Sequence, residues 1–191
     1  MTGALSSFQL KLASIDGVFV WNSVSHQDKR GRFYKTYTEG DNSTLPFEFK
    51  TVEHFFTESR DSVFRGLHFQ GDPHPANKIV TIARGSALDF LLDLRTASRT
   101  FGHLQTQELD GNTSTSIYIP AGIAHGYLSR ENGTIISYRQ DKTFCENCDS
   151  GVNAKVLSHH LPVALSDLII SDRDRDLESV EKFKYLSRCH K

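Results

Sequence analysis

The chain has 191 residues, enough for one domain with a core that needs no staples, and its 22 Lys and Arg against 23 Asp and Glu leave a formal net charge of -1. That balance excludes a nucleic-acid glove and an acidic-membrane binder, both of which need a basic excess, but leaves anionic small molecules open because these need only a few local cations. No apolar run reaches the length of a membrane span, Met1 to Ser7 lack the basic-then-apolar order of a secretory leader, and an odd count of three cysteines makes no disulfide framework and fits a reducing cytoplasm.

In chain order, turn signals recur about every ten residues with beta-branched and aromatic residues between them, which predicts an all-β sandwich or barrel. Val18 to Trp21 is the first strong strand, His26 to Gly31 a polar turn, and Arg32 to Tyr37 a strand again. Phe47 to Phe56 contains a strand, and Val63 to Phe69, Lys78 to Ala83 and Leu88 to Leu94 follow, the last with Asp89 and Asp93 set in an apolar run. Leu104 to Leu109, Ser116 to Ile119, Ala124 to Leu128 and Thr134 to Tyr138 continue the pattern. Asp110-Gly111-Asn112 and Asn132-Gly133 are hairpin signals. Leu177, Val180, Phe183 and Leu186 recur every three residues and predict a short amphipathic C-terminal helix over 177–188.

Phe64-Arg65-Gly66-Leu67-His68-Phe69-Gln70 is the stretch with most chemistry in it. Strict alternation puts Arg65 and His68 on opposite faces, and a bulge at Gly66 would bring both to one side. A cation beside an imidazole suits an anionic substrate next to a proton-transfer group. His125 follows a Pro-Ala-Gly turn into a strand, a second candidate among nine histidines. A metal site around His68 is disfavoured, because Phe69 and Gln70 replace the His-x-His pair that metal-holding small barrels often use, and zinc wants three or four convergent ligands. Cys145-Glu146-Asn147-Cys148 is a single Cys-x-x-Cys, read as two ordinary loop thiols unless Cys189 and His190 fold back to complete four ligands. Asp172-Arg173-Asp174-Arg175-Asp176 reads as a solvated, self-compensating charge run, Lys78 as a strand-edge residue and Tyr138 as a packed aromatic with its hydroxyl at a rim.

Taken together, the segments from about Val18 to Asp174 resemble the dTDP-4-dehydrorhamnose 3,5-epimerase family of nucleotide-sugar enzymes. The resemblance rests on Asp28 to Phe33, Arg65 to Gln70, Pro73 to Lys78, Arg84-Gly85 with Asp89, Asp93-Leu94-Arg95, Thr100-Phe101-Gly102, Ile119 to Gly126, Tyr138 and Ile169 to Asp174. It implies a cupin-type jelly roll that forms a single domain over residues 1–191, with N-terminal strands given to the partner of a homodimer. It implies no metal and no cofactor, and a nucleotide-sugar substrate, dTDP-linked by preference. It also implies roles: His68 as base, Asp174 as the carboxylate that orients it, Tyr138 as acid on the opposite face of the sugar, and Lys78 beside a developing enolate. Arg65 and His125 would line the sugar and phosphate pocket, with Gln70, Glu53 and Asp89 as further substrate contacts, and Arg30 would reach the phosphates from the partner subunit.

The chemistry fits those residue types. A ketone at C4 of a hexose acidifies the C–H bonds at C3 and C5, so a base on one face and an acid on the other can invert either centre through an enolate. Histidine accepts a proton near neutrality, and a carboxylate on its other nitrogen fixes the tautomer. The chain departs from the family pattern at His26, Lys35, Glu53, Phe55 and Asp141-Lys142-Thr143, positions that bear on nucleotide and sugar recognition. A 3,4-ketoisomerase and a non-catalytic sugar-nucleotide-binding jelly roll are the competing readings.

Overall fold

The alternation that marks the strands in sequence becomes two opposed antiparallel sheets in the computed structural model, which describes residues 9–38 and 46–183. The strands are β1 (Gln9–Leu12), β2 (Phe19–Asn22), β3 (Val24–Asp28), β4 (Gly31–Lys35), β5 (Glu53–Ser59), β6 (Phe64–Gln70), β7 (Lys78–Arg84), β8 (Ser86–Asp93), β9 (Leu104–Asp110), β10 (Thr115–Ile119), β11 (Ile123–Ser129), β12 (Thr134–Gln140) and β13 (Asp149–Gly151). One sheet runs β1-β2-β10-β7-β12-β5 and the other β13-β6-β11-β8-β9, while β3 and β4 form a separate hairpin. This is a jelly roll. Among the described residues no helix is long and apolar enough to cross a membrane.

The two faces of each strand serve different cores. Val80 and Ile82 of β7, Leu91 of β8, Ile117 of β10 and Ile136 of β12 point between the sheets into one buried cluster. The alternate residues Leu88, Phe90 and Leu92 of β8 point outward, where Leu157, Leu168 and other residues of the C-terminal segment cover them. On the outer face of the first sheet, Trp21, Phe49 and Ile79 make a third cluster with Tyr118 and Phe47, whose rings stack at 4.0 Å. Each fully buried aliphatic side chain contributes about 1.5–3 kcal/mol, so this inner cluster holds the two sheets against each other.

Two turn expectations need correction. Asp110-Gly111-Asn112 and Asn132-Gly133 do reverse the chain, but neither makes a hairpin. The turn after β9 leads to β10 in the opposite sheet, and that after β11 leads to β12, again across the sandwich. Turn chemistry sets a local reversal and does not decide which sheet receives the next strand. His26 to Asp28 also differ from expectation, lying in β3 rather than in a turn. The strand is exposed at all but one position and so carries no hydrophobic alternation to reveal it. At the C-terminus, 177–179 are not helical, Glu178 bridges to Val152, and a helical turn opens at 180–183. The rest of the predicted helix, with Cys189 and His190, lies outside the described residues.

The bulge at Gly66 is present. Arg65 pairs with Tyr127 and His68 with His125, so two residues of β6 face the single Gly126 of β11. In consequence Phe64 and Leu67 both point into the outer cluster, and Arg65 and His68 both point between the sheets. Gly66 has φ 122°, and a Cβ there would stand 2.5 Å from the Gly126 Cα and 2.8 Å from the His125 carbonyl oxygen. Both contacts are with backbone, which cannot swing aside. Replacing Gly66 by Ala is expected to cost about 2–4 kcal/mol from the backbone strain and the overlap combined. Urea unfolding measures it, and a loss below about 1 kcal/mol would mean that the bulge accepts a side chain.

Candidate active site

A cavity of about 460 Å³ opens between the sheets. β6 supplies Arg65, His68 and Gln70 on one wall, and β12 and β7 supply Tyr138 and Lys78 from the opposing sheet. Asp174, from the far end of the chain, closes the wall behind His68.

Asp174 sits in the one-turn helix α1 (Asp172–Arg175), where the Asp174 backbone N–H donates to the Ser171 hydroxyl at the N-cap. The turn rotates Asp174 inward while its charged neighbours stay at the surface, and the side chain is buried. Its Oδ1 lies 2.8 Å from His68 Nε2, and its Oδ2 accepts from the Gly66 backbone N–H at 3.1 Å. Burial pushes the Asp174 carboxyl up, but the hydrogen bonds from His68, Gly66 and Ser171 outweigh it and hold the group below the usual carboxylate range. An ionised Asp174 only accepts, so Nε2 carries the imidazole proton and Nδ1 keeps the free lone pair. The solvated charge run expected from residue types is therefore corrected at Asp174, which is an interior carboxylate.

Tyr138 is nearly buried, and its ring stacks on Phe55, its cross-strand partner in β5, at 5.0 Å and 6°. Burial first, then the neighbouring Tyr127 and Asp89, raise the Tyr138 hydroxyl well above the ordinary phenol value. The group stays a proton donor throughout the working range. Lys78 reaches inward until Nζ is 3.5 Å from the His68 carbonyl oxygen. Burial pushes its ammonium down to about 8, with Asp149 opposing. Arg65 donates to the Ser59 hydroxyl at 3.1 Å and to the Glu58 carbonyl at 3.2 Å. Neither partner is a carboxylate, so its charge remains available to an anion.

Behind this wall is a second pair. His125, cross-strand neighbour of His68, places Nε2 2.6 Å from Asp89 Oδ2. Asp89 is fully buried and its Oδ1 has no hydrogen-bond partner among the described residues. Burial raises its pKa, and the nearby His125 works against that.

Of the residues named from sequence, His68, Lys78, Tyr138, Asp174, Arg65, His125, Gln70 and Glu53 all border this cavity. Asp89 does not: it stands behind His125 and holds it, so the expected substrate contact is corrected to a support. Gln70 borders the cavity, but its amide is spent on the His74 and Thr143 carbonyls and the Cys145 N–H. Glu53 accepts from the Phe144 N–H at 2.8 Å. Arg30 is on the β3–β4 hairpin, exposed and paired with Asp28 at 2.5 Å, and borders none of the cavity of its own chain. Sequence reasoning passed over Arg173, Asp149, Phe144 and Thr57 as lining residues. Arg173 lies in the charge run Asp172 to Asp176, and the other three carry no sequence signal. The thiols of Cys145 and Cys148 are also corrected: the spacing across a 3-10 turn brings their Cα atoms to 5.2 Å, and the sulfurs are joined.

Comparisons with known proteins agree with this architecture. The family model described as dTDP-4-dehydrorhamnose 3,5-epimerase matches residues 12–182. A dTDP-4-dehydrorhamnose 3,5-epimerase from Methanothermobacter thermautotrophicus is 30% identical over 175 residues, covering 90% of this chain and 94% of that protein. The crystal structure of the enzyme of that name from Bacillus anthracis, with TDP and pyrophosphate bound, superposes with a TM-score of 0.83 at 26% identity, over 90% of this chain and 99% of that one. A 3'-monoepimerase from Streptomyces bikiniensis in complex with dTDP-quinovose gives a TM-score of 0.80 at 25% identity, over 91% and 89% of the two chains. With a match across nearly its whole length and a cupin-type jelly roll in common, this chain belongs to the dTDP-4-dehydrorhamnose 3,5-epimerase family.

Proposed function

We propose that this protein is an isomerase that inverts C3, C5 or both of a nucleotide-linked 4-keto-6-deoxyhexose, dTDP-linked by preference, in deoxysugar biosynthesis. The observation that carries the reading is one cavity with the His68–Asp174 pair on one wall and a protonated Tyr138 on the other. The TDP and dTDP-quinovose bound in the solved relatives support the choice of nucleotide.

In this reading His68 Nδ1 takes a proton from the carbon next to the ketone. The C–H electron pair moves into the ring and onto the C4 oxygen, giving an enolate, and the ionised Asp174 stabilises the imidazolium that forms. Lys78 meets the enolate oxygen, a contact that is stronger with the developing charge than with the starting ketone. Tyr138 returns a proton from the opposing sheet, hence to the other face, and the centre inverts. Arg65 and His125 hold sugar and phosphate oxygens.

The protein works in this proposal as a cytoplasmic homodimer, with Arg30 of one subunit reaching the phosphates bound by the other. The β3–β4 hairpin supports that placement: it stands outside both sheets, and Arg30 and Phe33 on it are exposed.

Incubating the protein with thymidine-, guanosine- and cytidine-linked 4-keto-6-deoxyhexoses in deuterated water and following C3 and C5 by NMR tests the reading directly. Deuterium is expected at one or both carbons of the thymidine compound, and none at either carbon of any of the three would overturn it. Product carbonyl position separates epimerisation from ketoisomerisation. Replacing His68 by Asn is expected to lower exchange at both centres by about 100- to 10,000-fold, and retained exchange would exclude it as the base. Replacing Tyr138 by Phe should reduce inversion more than first exchange; equal losses would remove its role as acid. The lowered pKa of Lys78, about 8, sets a pH limit. Its ammonium is lost as pH rises through that value, so exchange should fall above it. The Lys78→Arg variant keeps its charge there, so the falling limb should disappear even if the overall rate drops; an unchanged limb would mean that another group titrates.

A further inference from the structure

A cluster of soft ligand atoms lies beside the cavity and takes no part in the proton transfers. His74 comes from the turn after β6, and Cys145 and Cys148 bracket the short 3-10 turn before β13. One nitrogen and two sulfurs from these residues lie within 4.8 Å of one another. The two loops that carry them are locked together by the buried Gln70, whose amide nitrogen donates to the His74 carbonyl at 2.6 Å and whose oxygen accepts from the Cys145 N–H at 2.9 Å. The Gly71 N–H adds a bond to the Cys148 carbonyl at 2.8 Å. The backbone of the cluster is thus set by contacts that do not involve the sulfurs. A disulfide between Cys145 and Cys148 uses two of the three ligand atoms and gives no role to the imidazole beside them; a metal ion uses all three.

We propose that, with Cys145 and Cys148 in the dithiol form, His74, Cys145 and Cys148 bind one zinc ion. Zinc takes thiolates at about 2.3 Å and imidazole nitrogen at about 2.0–2.1 Å in tetrahedral array, so its donors stand roughly 3.5–4 Å from one another; the two sulfurs, once reduced, would part to reach the ion, and the imidazole already lies within 4.8 Å of both. Binding releases one proton from each thiol and transfers no electrons. Forming the dithiol from the disulfide takes two electrons and two protons, which an added phosphine supplies. The fourth position faces solvent, because His74 is exposed, and is filled by water. The ion would tether the stretch that carries Phe144 and Asp149 into the cavity rim, where Asp149 also pairs with Arg173.

The full-length protein, reduced with a phosphine under nitrogen, is dialysed against zinc and assayed for bound metal, then titrated with cobalt(II) as a spectroscopic probe. One zinc per chain in the reduced protein and none in the disulfide form is expected, with a thiolate-to-cobalt charge-transfer band and the intense visible bands of a tetrahedral site. His74 is exposed, so His74→Ala is expected to fold and to keep both thiols, yet to lose stoichiometric metal and the tetrahedral spectrum. Cys148→Ser should lose the charge-transfer intensity of one thiolate, and circular dichroism checks its fold. Substoichiometric zinc in the reduced wild type would overturn the proposal and leave a thiol–disulfide pair only. Unchanged binding in His74→Ala would overturn it as well, by removing the imidazole from the site.

Discussion

One carboxylate spans the bulge on which the site is built. Asp174 accepts from the Gly66 backbone with one oxygen and from His68 with the other, so the extra residue in β6 and the imbalance it creates are held from outside the strand. Hydrogen bonds to an ionised group contribute roughly 1.5–3 kcal/mol each, and here they also decide orientation. Without the bulge His68 would point into the outer apolar cluster where Leu67 now packs. Without Asp174 the ring would have no partner to choose its tautomer. The fold supplies this carboxylate from a segment 106 residues away in the chain, which explains why the C-terminal stretch must pack on the outer face of β6 and β8 before the site is complete.

The jelly roll supplies the other requirement of a two-face proton transfer. Groups on the two sheets face the cavity from opposite sides, so in the proposed reaction a base on β6 and a donor on β12 would need no motion to act on opposite faces of a ring. The same burial that closes the cavity adjusts the donors in useful directions. It keeps the Tyr138 phenol protonated and weakens the hold of Lys78 on its proton. Desolvation is unfavourable to both charged forms, and a negatively charged reaction centre between them would relieve it for the lysine.

Much of the strand pattern was legible because a strand covered on both faces reads as a continuous apolar run, as in β7 and β8, and one covered on a single face alternates, as in β12. It failed for β3, whose exposed residues alternate with nothing. Turn residues marked several of the corners, yet Asp110-Gly111-Asn112 looked like a hairpin although it crosses between sheets; pairing partners are chosen by tertiary packing, which short-range chemistry does not encode. In the site, Arg65, Gly66 and His68 were readable within one four-residue stretch, Arg65 to His68. Asp174 was not readable from residue types, since an acidic-basic alternation reads as solvent-facing and only the resemblance to a family singled it out. Phe144, Asp149 and Thr57 reach the cavity through loop paths and cross-strand register that leave no local signature. Phe55 was visible as a departure from the family pattern, but its stacking on Tyr138 follows from register alone.

Two histidine–aspartate pairs of the same composition sit side by side on β6 and β11, and residue type cannot say which would act as a base. Environment can. The His68 side chain is 25% exposed to the cavity, whereas that of His125 is 3% exposed. Asp174 receives donors on both oxygens and its pKa falls; Asp89 has one oxygen without a partner among the described residues and its pKa rises. An imidazolium formed at His68 thus faces a carboxylate already ionised and already hydrogen-bonded. One formed at His125 would need Asp89 to carry a bare charge in the interior, where an unpaired ion is costly. The inner pair is therefore better suited to hold a fixed polar edge against the substrate than to exchange protons with it, and burial separates the roles that the sequence leaves equivalent.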